Sequence, residues 1–333
     1  MNKRIEWIDF LRGFVIFLVV FGHVNLGLIG YEVFEIYKKG LTELYYLFHS
    51  FRMPLFFMVS GFLYASKINN NVADLIKSLK KKAIAWGIPY IVFSVLFWWI
   101  KYFMGDKVNT ILTWKDLYLI PIQPIEHFWF LYVLFLIYCL VETLDYVFKN
   151  NFIVFTVIIC LAIISWRFHS GVFIIDTTLN MVIYFYIAKL LRGHINFINN
   201  KIFIAIGVLT FIVLRGIDFE STYHAEIRII IAISISLPII AICSLLKTEN
   251  AFFKYFTVVG KNTLPIYILH PPIASAVRMF LFKVSIDNII LHLVIGTLVA
   301  WFLSLYIYKF ASKFRIMDSL FYPLKYLKVI SHA

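Results

Sequence analysis

The sequence predicts an all-α, polytopic membrane protein, and three observations support this class. The mean hydropathy of the 333-residue chain is +0.87. Hydrophobic residues make up 62% of the chain and charged residues 15%, whereas soluble domains are about half apolar and about a quarter charged. Long apolar runs alternate with short polar segments, which is typical of membrane-spanning helices. We expect a single integral-membrane domain over residues 1–333, without a separate soluble domain.

Ten apolar runs are long enough to be transmembrane helices. They lie near residues 7–27, 41–65, 83–104, 127–148, 151–167, 177–192, 201–217, 225–247, 262–283 and 286–310. With both termini in the cytoplasm, the cytoplasmic segments contain 19 Lys and Arg residues and the opposite segments contain ten. The positive-inside rule therefore predicts an N-in, C-in orientation. This bias accounts for most of the net charge of +13, so membrane lipids rather than nucleic acid are the expected surroundings.

The first span holds three polar residues that are costly in lipid. Asp9 and Arg12 are three residues apart and are therefore neighbours on one helix face. His23 follows Arg12 by 11 residues, which is about 20° past three full turns, so a polar stripe about 16 Å long follows one face. A charge inside a membrane span marks a candidate functional site. The alternative is an ion pair at the membrane rim and a histidine that only packs between helices.

The second span repeats this arrangement, because His49 and Arg52 are again three residues apart. An arginine at this depth keeps its proton and needs an anionic partner. The candidates for that partner are Asp9, Glu43 and a bound phosphate. A structural salt bridge is the alternative to a functional role.

Other polar residues lie near the ends of later spans. Glu126, His127 and Trp129 begin the fourth span on the predicted outer side, where an interfacial aromatic belt is the alternative to a binding role. His270 is followed by two prolines, which are expected to break or kink the helix and leave carbonyls unpaired. His270 would then either line a cavity or satisfy the kink.

Four segments resemble motifs of the integral-membrane acyltransferase 3 family. The first, Arg12–His23, has an arginine, ten intervening residues and a histidine. Phe51–Gly61 resembles the second motif, His127–Leu131 a tryptophan-bearing motif, and Gly260–His270 a late segment that runs from glycine to tyrosine and histidine. The matches follow the family's order over nearly the whole chain. The nearest subgroup is the fucose 4-O-acetylase-like sugar O-acetyltransferases, and no C-terminal hydrolase-like domain is expected here.

The resemblance implies an O-acetyltransferase in a bacterial cytoplasmic membrane. The acetyl group would move from cytoplasmic acetyl-CoA, a co-substrate rather than a bound cofactor, to a hydroxyl of an exported or lipid-linked cell-surface glycan. The family pattern places the essential histidine at His23 and donor-site arginines at Arg12 and Arg52. A histidine is also chemically suited to this role, because its pKa allows it to remove a proton from an alcohol near neutrality. The residues expected to bind substrate are Asp9, His49, Glu126, His127, Trp129, Tyr267 and His270.

The chain has neither a His-Glu-x-x-His motif nor a Cys–His cluster with zinc spacing, so no metal is expected. The basic run Lys77–Lys82 is expected to be solvated or to contact lipid phosphates, with guidance of CoA phosphates as the alternative.

A transporter or flippase for a glycolipid or acyl donor is the alternative function, since transporters also bury charges at mid-membrane. Such a protein is expected to show two related halves, and the sequence has no internal symmetry of that kind. A structural scaffold for a polysaccharide synthase would leave His23 and Arg52 unexplained.

Overall fold

The structure, a computed structural model, describes residues 5–64, 71–105, 111–217, 225–246 and 250–327. Within these ranges the regular elements are helical and no strand occurs, which confirms the all-α class. The α-helices are α1 (Glu6–Leu28), α2 (Lys38–Leu63), α3 (Val72–Lys82), α4 (Ile88–Met104), α5 (Trp114–Leu119), α6 (Trp129–Phe148), α7 (Asn151–Arg167), α8 (Phe173–Leu191), α9 (Ile195–Ile198), α10 (Lys201–Ile217), α11 (Ala225–Leu245), α12 (Ala251–Gly260), α13 (Thr263–Lys283), α14 (Ile289–Ala311) and α15 (Arg315–Phe321). A π-helical segment, Ala83–Gly87, joins α3 to α4.

Seven helical stretches of the described residues are long and apolar enough to cross a membrane. They are Glu6–Leu28, Val72–Met104, Glu126–Phe148, Phe173–Leu191, Ile227–Leu245, Thr263–Lys283 and Ile289–Ala311. The other three predicted spans are helices as well, namely α2, α7 and α10. Helices α7 and α10 each have 17 residues, and polar residues such as Arg52 interrupt the apolar surface of α2. The chain is therefore a polytopic helical membrane protein, while ten crossings and the N-in, C-in orientation stay predictions.

The chain forms two compact units, which we describe separately. The first consists of residues 1–63 and 187–310, and the second of residues 64–186 and 311–333. In the first unit α1 is central and packs against α2, α11, α12 and α13. The expectation of a single domain over the whole chain stays a prediction.

The contact between α1 and α12 depends on two glycines. A Cβ atom at Gly13 would overlap the backbone carbonyl of Phe256, and one at Gly260 would overlap the backbone carbonyl of Asp9. Nearby, the rings of Phe10 and Phe253 stack in parallel with centroids 4.7 Å apart. Helix α12 is not among the predicted spans, because ten residues are too few to cross a membrane.

Helix α13 follows α1 in the same direction. Near its start Thr263 contacts Arg12, and about two turns later His270 contacts His23. Because Arg12 and His23 both contact α13, the polar stripe of α1 faces that helix.

The two prolines of α13 do not break it, which corrects part of the expectation for this segment. The helix is continuous from Thr263 to Lys283 with Pro271 and Pro272 inside it. In the turn before the prolines, His270 Nδ1 donates a hydrogen bond to the carbonyl of Ile266 at 2.8 Å. This bond does not replace a donor lost to the prolines, because the carbonyls that Pro271 and Pro272 leave without an i+4 partner are those of Tyr267 and Ile268.

The second unit is built on α6, which packs against α3, the π-helical segment and α7. Lys82 forms an ion pair with the buried Glu142, and the Ser78 hydroxyl donates to the same carboxylate at 3.1 Å. Tyr64 donates to Asp145 one turn farther along α6, at 3.2 Å. The expectation that the run ending at Lys82 is solvated is therefore wrong for Lys82, because a buried carboxylate requires a cationic partner.

The predicted orientation can be tested at the two ends of α13. We expect a cysteine at Asp287, in an exposed turn after the helix, to react with an impermeant reagent added outside. A cysteine at the exposed Lys261, just before the helix, is expected to react only after the membrane is opened. The background replaces Cys139, Cys160 and Cys243, of which Cys160 is exposed. The reverse labelling pattern would invert the orientation.

Candidate active site

The N-terminal part of the polar stripe holds Arg12 between two helices. Its Nη2 atom donates a hydrogen bond to Thr263 Oγ1 at 2.9 Å, and its Nη1 atom lies 3.6 Å from Asp9 Oδ1. The Asp9 side chain is 6% exposed and that of Arg12 is 26% exposed. Arg12 is thus fixed by α1 and α13 but retains accessible surface, so a ligand can reach it.

Two histidines meet farther along the same interface. The rings of His23 and His270 have centroids 5.0 Å apart and planes inclined at 67°. His270 is fully buried, whereas His23 is only partly buried. A carbonyl oxygen can only accept, so the bond to Ile266 places the proton of His270 on Nδ1 and makes Nε2 the acceptor of the neutral ring. Of the two rings, His23 is the one that a substrate can approach.

Arg52 projects from α2 to the backbone of α1 beside this pair. A Cβ atom at Gly22 would overlap the Arg52 guanidinium, so glycine is required for this close approach. Arg52 is 4% exposed. Its Nη2 atom lies 3.4 Å from His49 Nδ1, and its Cζ atom lies 4.9 Å from the centre of the Tyr45 ring. The guanidinium is therefore packed against the residue that immediately precedes His23.

No carboxylate of the described residues forms an ion pair with Arg52, and its Nε and Nη1 atoms have no hydrogen-bond partner among them. The two carboxylates considered as partners pair with other residues: Asp9 with Arg12, and Glu43 with Lys39 at 4.0 Å. A buried guanidinium keeps its charge, and a buried charge is costly unless it is paired. The site is therefore suited to an anionic ligand or to a charge that develops during a reaction.

The remaining predicted residues of the first unit lie around these groups. His49 is exposed, and its ring stacks on Tyr45 with centroids 5.0 Å apart. Tyr267 is 3% exposed, and its ring centroid lies 6.4 Å from that of His270. His49 thus contacts Arg52 directly, whereas Tyr267 forms part of the packing around His270.

The other three predicted residues belong to the second unit. Glu126 forms an ion pair with Lys101 and has a left-handed backbone with φ of 44°, a conformation that costs a residue other than glycine about 1–3 kcal/mol. His127 is 4% exposed and packs on Phe128 with ring centroids 4.2 Å apart. Trp129 is half-buried. Their predicted role in binding substrate stays a prediction.

Several residues that shape the site are not evident from the sequence. Thr263 holds Arg12, Tyr45 covers Arg52, and Gly22 leaves room for the guanidinium. For these contacts the sequence offers one signal, the glycine directly before His23, which leaves space beside the helix. In the part of the chain that the structure describes, no group of three or more His, Cys, Asp or Glu residues is placed to hold a metal ion. That the protein needs no metal stays a prediction.

The role of Gly22 gives a test that separates the site from the fold. We expect Gly22→Ala to displace the flexible end of Arg52 and to lower activity, while the protein still folds. Gly13→Ala is the matched comparison, because its new methyl group meets the backbone of α12 and should lower the thermal midpoint. Activity and thermal unfolding of the two purified variants are the measurements. Equal activity in Gly22→Ala and wild type would show that the position of Arg52 is unimportant.

Comparison with known protein families identifies the family of this chain. A family model described as an acyltransferase domain, that of the acyltransferase 3 family, matches residues 5–309. No curated protein and no solved structure matches the chain. The family match covers almost the whole chain and includes the histidine pair and both arginines. The chain therefore belongs to the acyltransferase 3 family and is a membrane acyltransferase.

Proposed function

We propose that the protein transfers an acetyl group from cytoplasmic acetyl-CoA to a hydroxyl of an exported or lipid-linked cell-surface glycan, with His23 as general base. The observation that supports this most strongly is the pairing of a reachable histidine with a buried arginine that has no carboxylate partner among the described residues. An acyl transfer needs both a base and a group that stabilises an oxyanion.

His23 performs the proton transfers. Its unprotonated ring nitrogen removes the proton of the acceptor hydroxyl as the oxygen attacks the thioester carbonyl. The tetrahedral intermediate then collapses, the carbon–sulfur bond breaks, and the protonated imidazole returns the proton to the leaving sulfur. The products are the acetyl ester and the free thiol of CoA, and the enzyme is regenerated without net proton change. His270, buried behind His23, is a positioning residue that holds the neighbouring ring in place.

Arg52 stabilises the negative charge that forms on the carbonyl oxygen. Its guanidinium lies against Gly22, next to His23, and is buried by the surrounding side chains. A preorganised charge in a water-poor site stabilises a developing oxyanion more strongly than the same group in solution. His49 and Tyr45 keep the guanidinium in this position.

Arg12 is suited to the other end of the donor. It lies 11 residues before His23, about 16 Å along the helix axis. In acetyl-CoA the flexible pantetheine arm separates the thioester from the phosphates. Arg12 and Arg52 can therefore contact the phosphates and the thioester of one donor molecule.

Mass spectrometry of surface glycans tests this function in cells. Cells that carry the gene should contain glycan with the mass increment of one acetyl group, and cells without it should lack that increment. Glycan that is present and unacetylated in the deletion strain supports an acetyltransferase. Loss of the exported glycan itself, with acetylation unaffected, would instead indicate a transporter or flippase.

A further inference from the structure

A second arginine lies against α1 one turn beyond His23. A Cβ atom at Gly27 would overlap the guanidinium of Arg278, which projects from α13. The Arg278 Nε atom donates a hydrogen bond to the Tyr31 hydroxyl at 3.2 Å, and Cζ lies 5.3 Å from the centre of the Tyr31 ring. The Tyr31 ring in turn packs on Phe282, with centroids 4.9 Å apart. Arg278 is therefore held in a defined position by α1, Tyr31 and its own helix.

Within the part of the chain that the structure describes, no group neutralises the charge of Arg278. Tyr31 is uncharged, and no carboxylate in the described ranges forms an ion pair with Arg278. Arg278 is half-buried, so part of its hydration is lost while the guanidinium remains reachable. Arginine presents a planar set of donors that binds carboxylate and phosphate groups through two parallel hydrogen bonds. Its surroundings therefore favour an anionic ligand.

The position of Arg278 along α1 favours contact with the acceptor rather than with the donor. Gly27 follows His23 by four residues, which is about 6 Å along the helix axis and away from Arg12. Arg52, which we assign to the thioester, lies against Gly22, the residue directly before His23. The two guanidiniums thus contact α1 at the residue before the proposed base and one turn after it. An acceptor hydroxyl at His23 would place a neighbouring substituent of the same glycan at Arg278.

We propose that Arg278 binds an oxyanion of the acceptor, so that the enzyme selects an acidic glycan. This inference rests on the proposed function and specifies its substrate class. The oxyanion is a carboxylate of an acidic sugar or a phosphate of a lipid-linked sugar, because both have the geometry that a guanidinium recognises. Arg278 orients the acceptor and takes no part in proton transfer.

The test uses the full-length purified protein with saturating acetyl-CoA. Unacetylated glycans from cells that lack the gene are separated by anion exchange into neutral, carboxylate-bearing and phosphate-bearing fractions. We expect wild type to acetylate one of the two anionic fractions in preference to the neutral one. Which anionic fraction is used identifies the source of the oxyanion.

The variants separate the role of Arg278 from that of the fold. Arg278→Ala should raise the acceptor KM about 10- to 150-fold, the equivalent of a charge-assisted hydrogen bond, and leave the acetyl-CoA KM unchanged. Arg278→Lys should recover only part of this loss, because an ammonium group lacks the planar donor set. Lys283→Ala, which removes an exposed charge at the end of the same helix, should behave like wild type.

Each outcome decides between the two proposals. Preferred transfer to the neutral fraction, or an unchanged acceptor KM in a folded Arg278→Ala, would overturn the role of Arg278 and leave the acetyltransferase intact. Transfer by wild type to none of the fractions would contradict the proposed function itself. If Arg278→Ala does not fold, the preference of wild type among the three fractions remains decisive.

Discussion

Replacing His23 with alanine is expected to abolish acetyl transfer while the protein still folds and inserts into the membrane. Loss of a general base slows catalysis by about 10²- to 10⁴-fold. The His23 ring is only partly buried and packs on His270 by an edge contact, so its removal should cost little stability. The measurement is the turnover of purified His23→Ala with acetyl-CoA and acceptor, compared with wild type at equal protein concentration.

A matched control is His194→Ala, because His194 is exposed and lies just before α9, outside the proposed machinery. It should retain wild-type turnover. If His23→Ala also turned over at nearly the wild-type rate, His23 would not be the base. His49, whose Nδ1 atom lies 3.4 Å from Arg52, would then be the next candidate.

The second large effect is expected from Arg52→Ala, which should lower the specificity constant for acetyl-CoA about 10- to 150-fold. This range corresponds to about 1.5–3 kcal/mol for hydrogen bonds from a charged group. Arg52→Lys should restore only part of the activity, since a single ammonium cannot contact Gly22, His49 and the donor in the way that the forked guanidinium does. Steady-state titration of acetyl-CoA measures both effects.

The control for Arg52 is Arg167→Ala, which removes an exposed guanidinium at the end of α7. It should leave the donor titration unchanged. A purely structural role for Arg52 predicts a different pattern, with a lower thermal midpoint in Arg52→Ala and an unaltered specificity constant for acetyl-CoA in the protein that remains folded. That pattern would contradict the assignment of Arg52 to the donor.

The helices were predictable because membrane spans are marked by long apolar runs. Each of the ten predicted runs corresponds to a helix, and the spacing of Arg12 and His23 correctly placed both on one face. The angle between two residues of one helix follows from the helical repeat alone, so a single sequence determines it.

Contacts between distant segments were not predictable in the same way. Arg12 and Thr263 are 251 residues apart, and Arg278 and Tyr31 are 247 residues apart. Nothing in the local pattern shows which helix fills the space above a glycine. The contacts of Arg52 with Gly22 and of Arg278 with Gly27 are therefore known only from the structure.

The two prolines of α13 led to a wrong expectation, because they predicted a break in this helix. Pro271 and Pro272 follow the residue that contacts His23, yet α13 remains one helix. Proline removes a backbone donor, but in membrane proteins side chains and neighbouring helices supply replacement hydrogen bonds. The bond from His270 to the Ile266 carbonyl lies in the turn before the prolines and could not be inferred from composition.

Acetyl transfer by His23 and Arg52 is tested most directly with radiolabelled acetyl-CoA, glycan and the purified protein in lipid vesicles. Wild type should move label into the glycan, and His23→Ala and Arg52→Ala at equal protein concentration should show strongly reduced transfer. Label that stays with CoA in the wild-type reaction while glycan crosses the vesicle membrane would contradict an acetyltransferase function. Undiminished transfer in His23→Ala would contradict the role of His23.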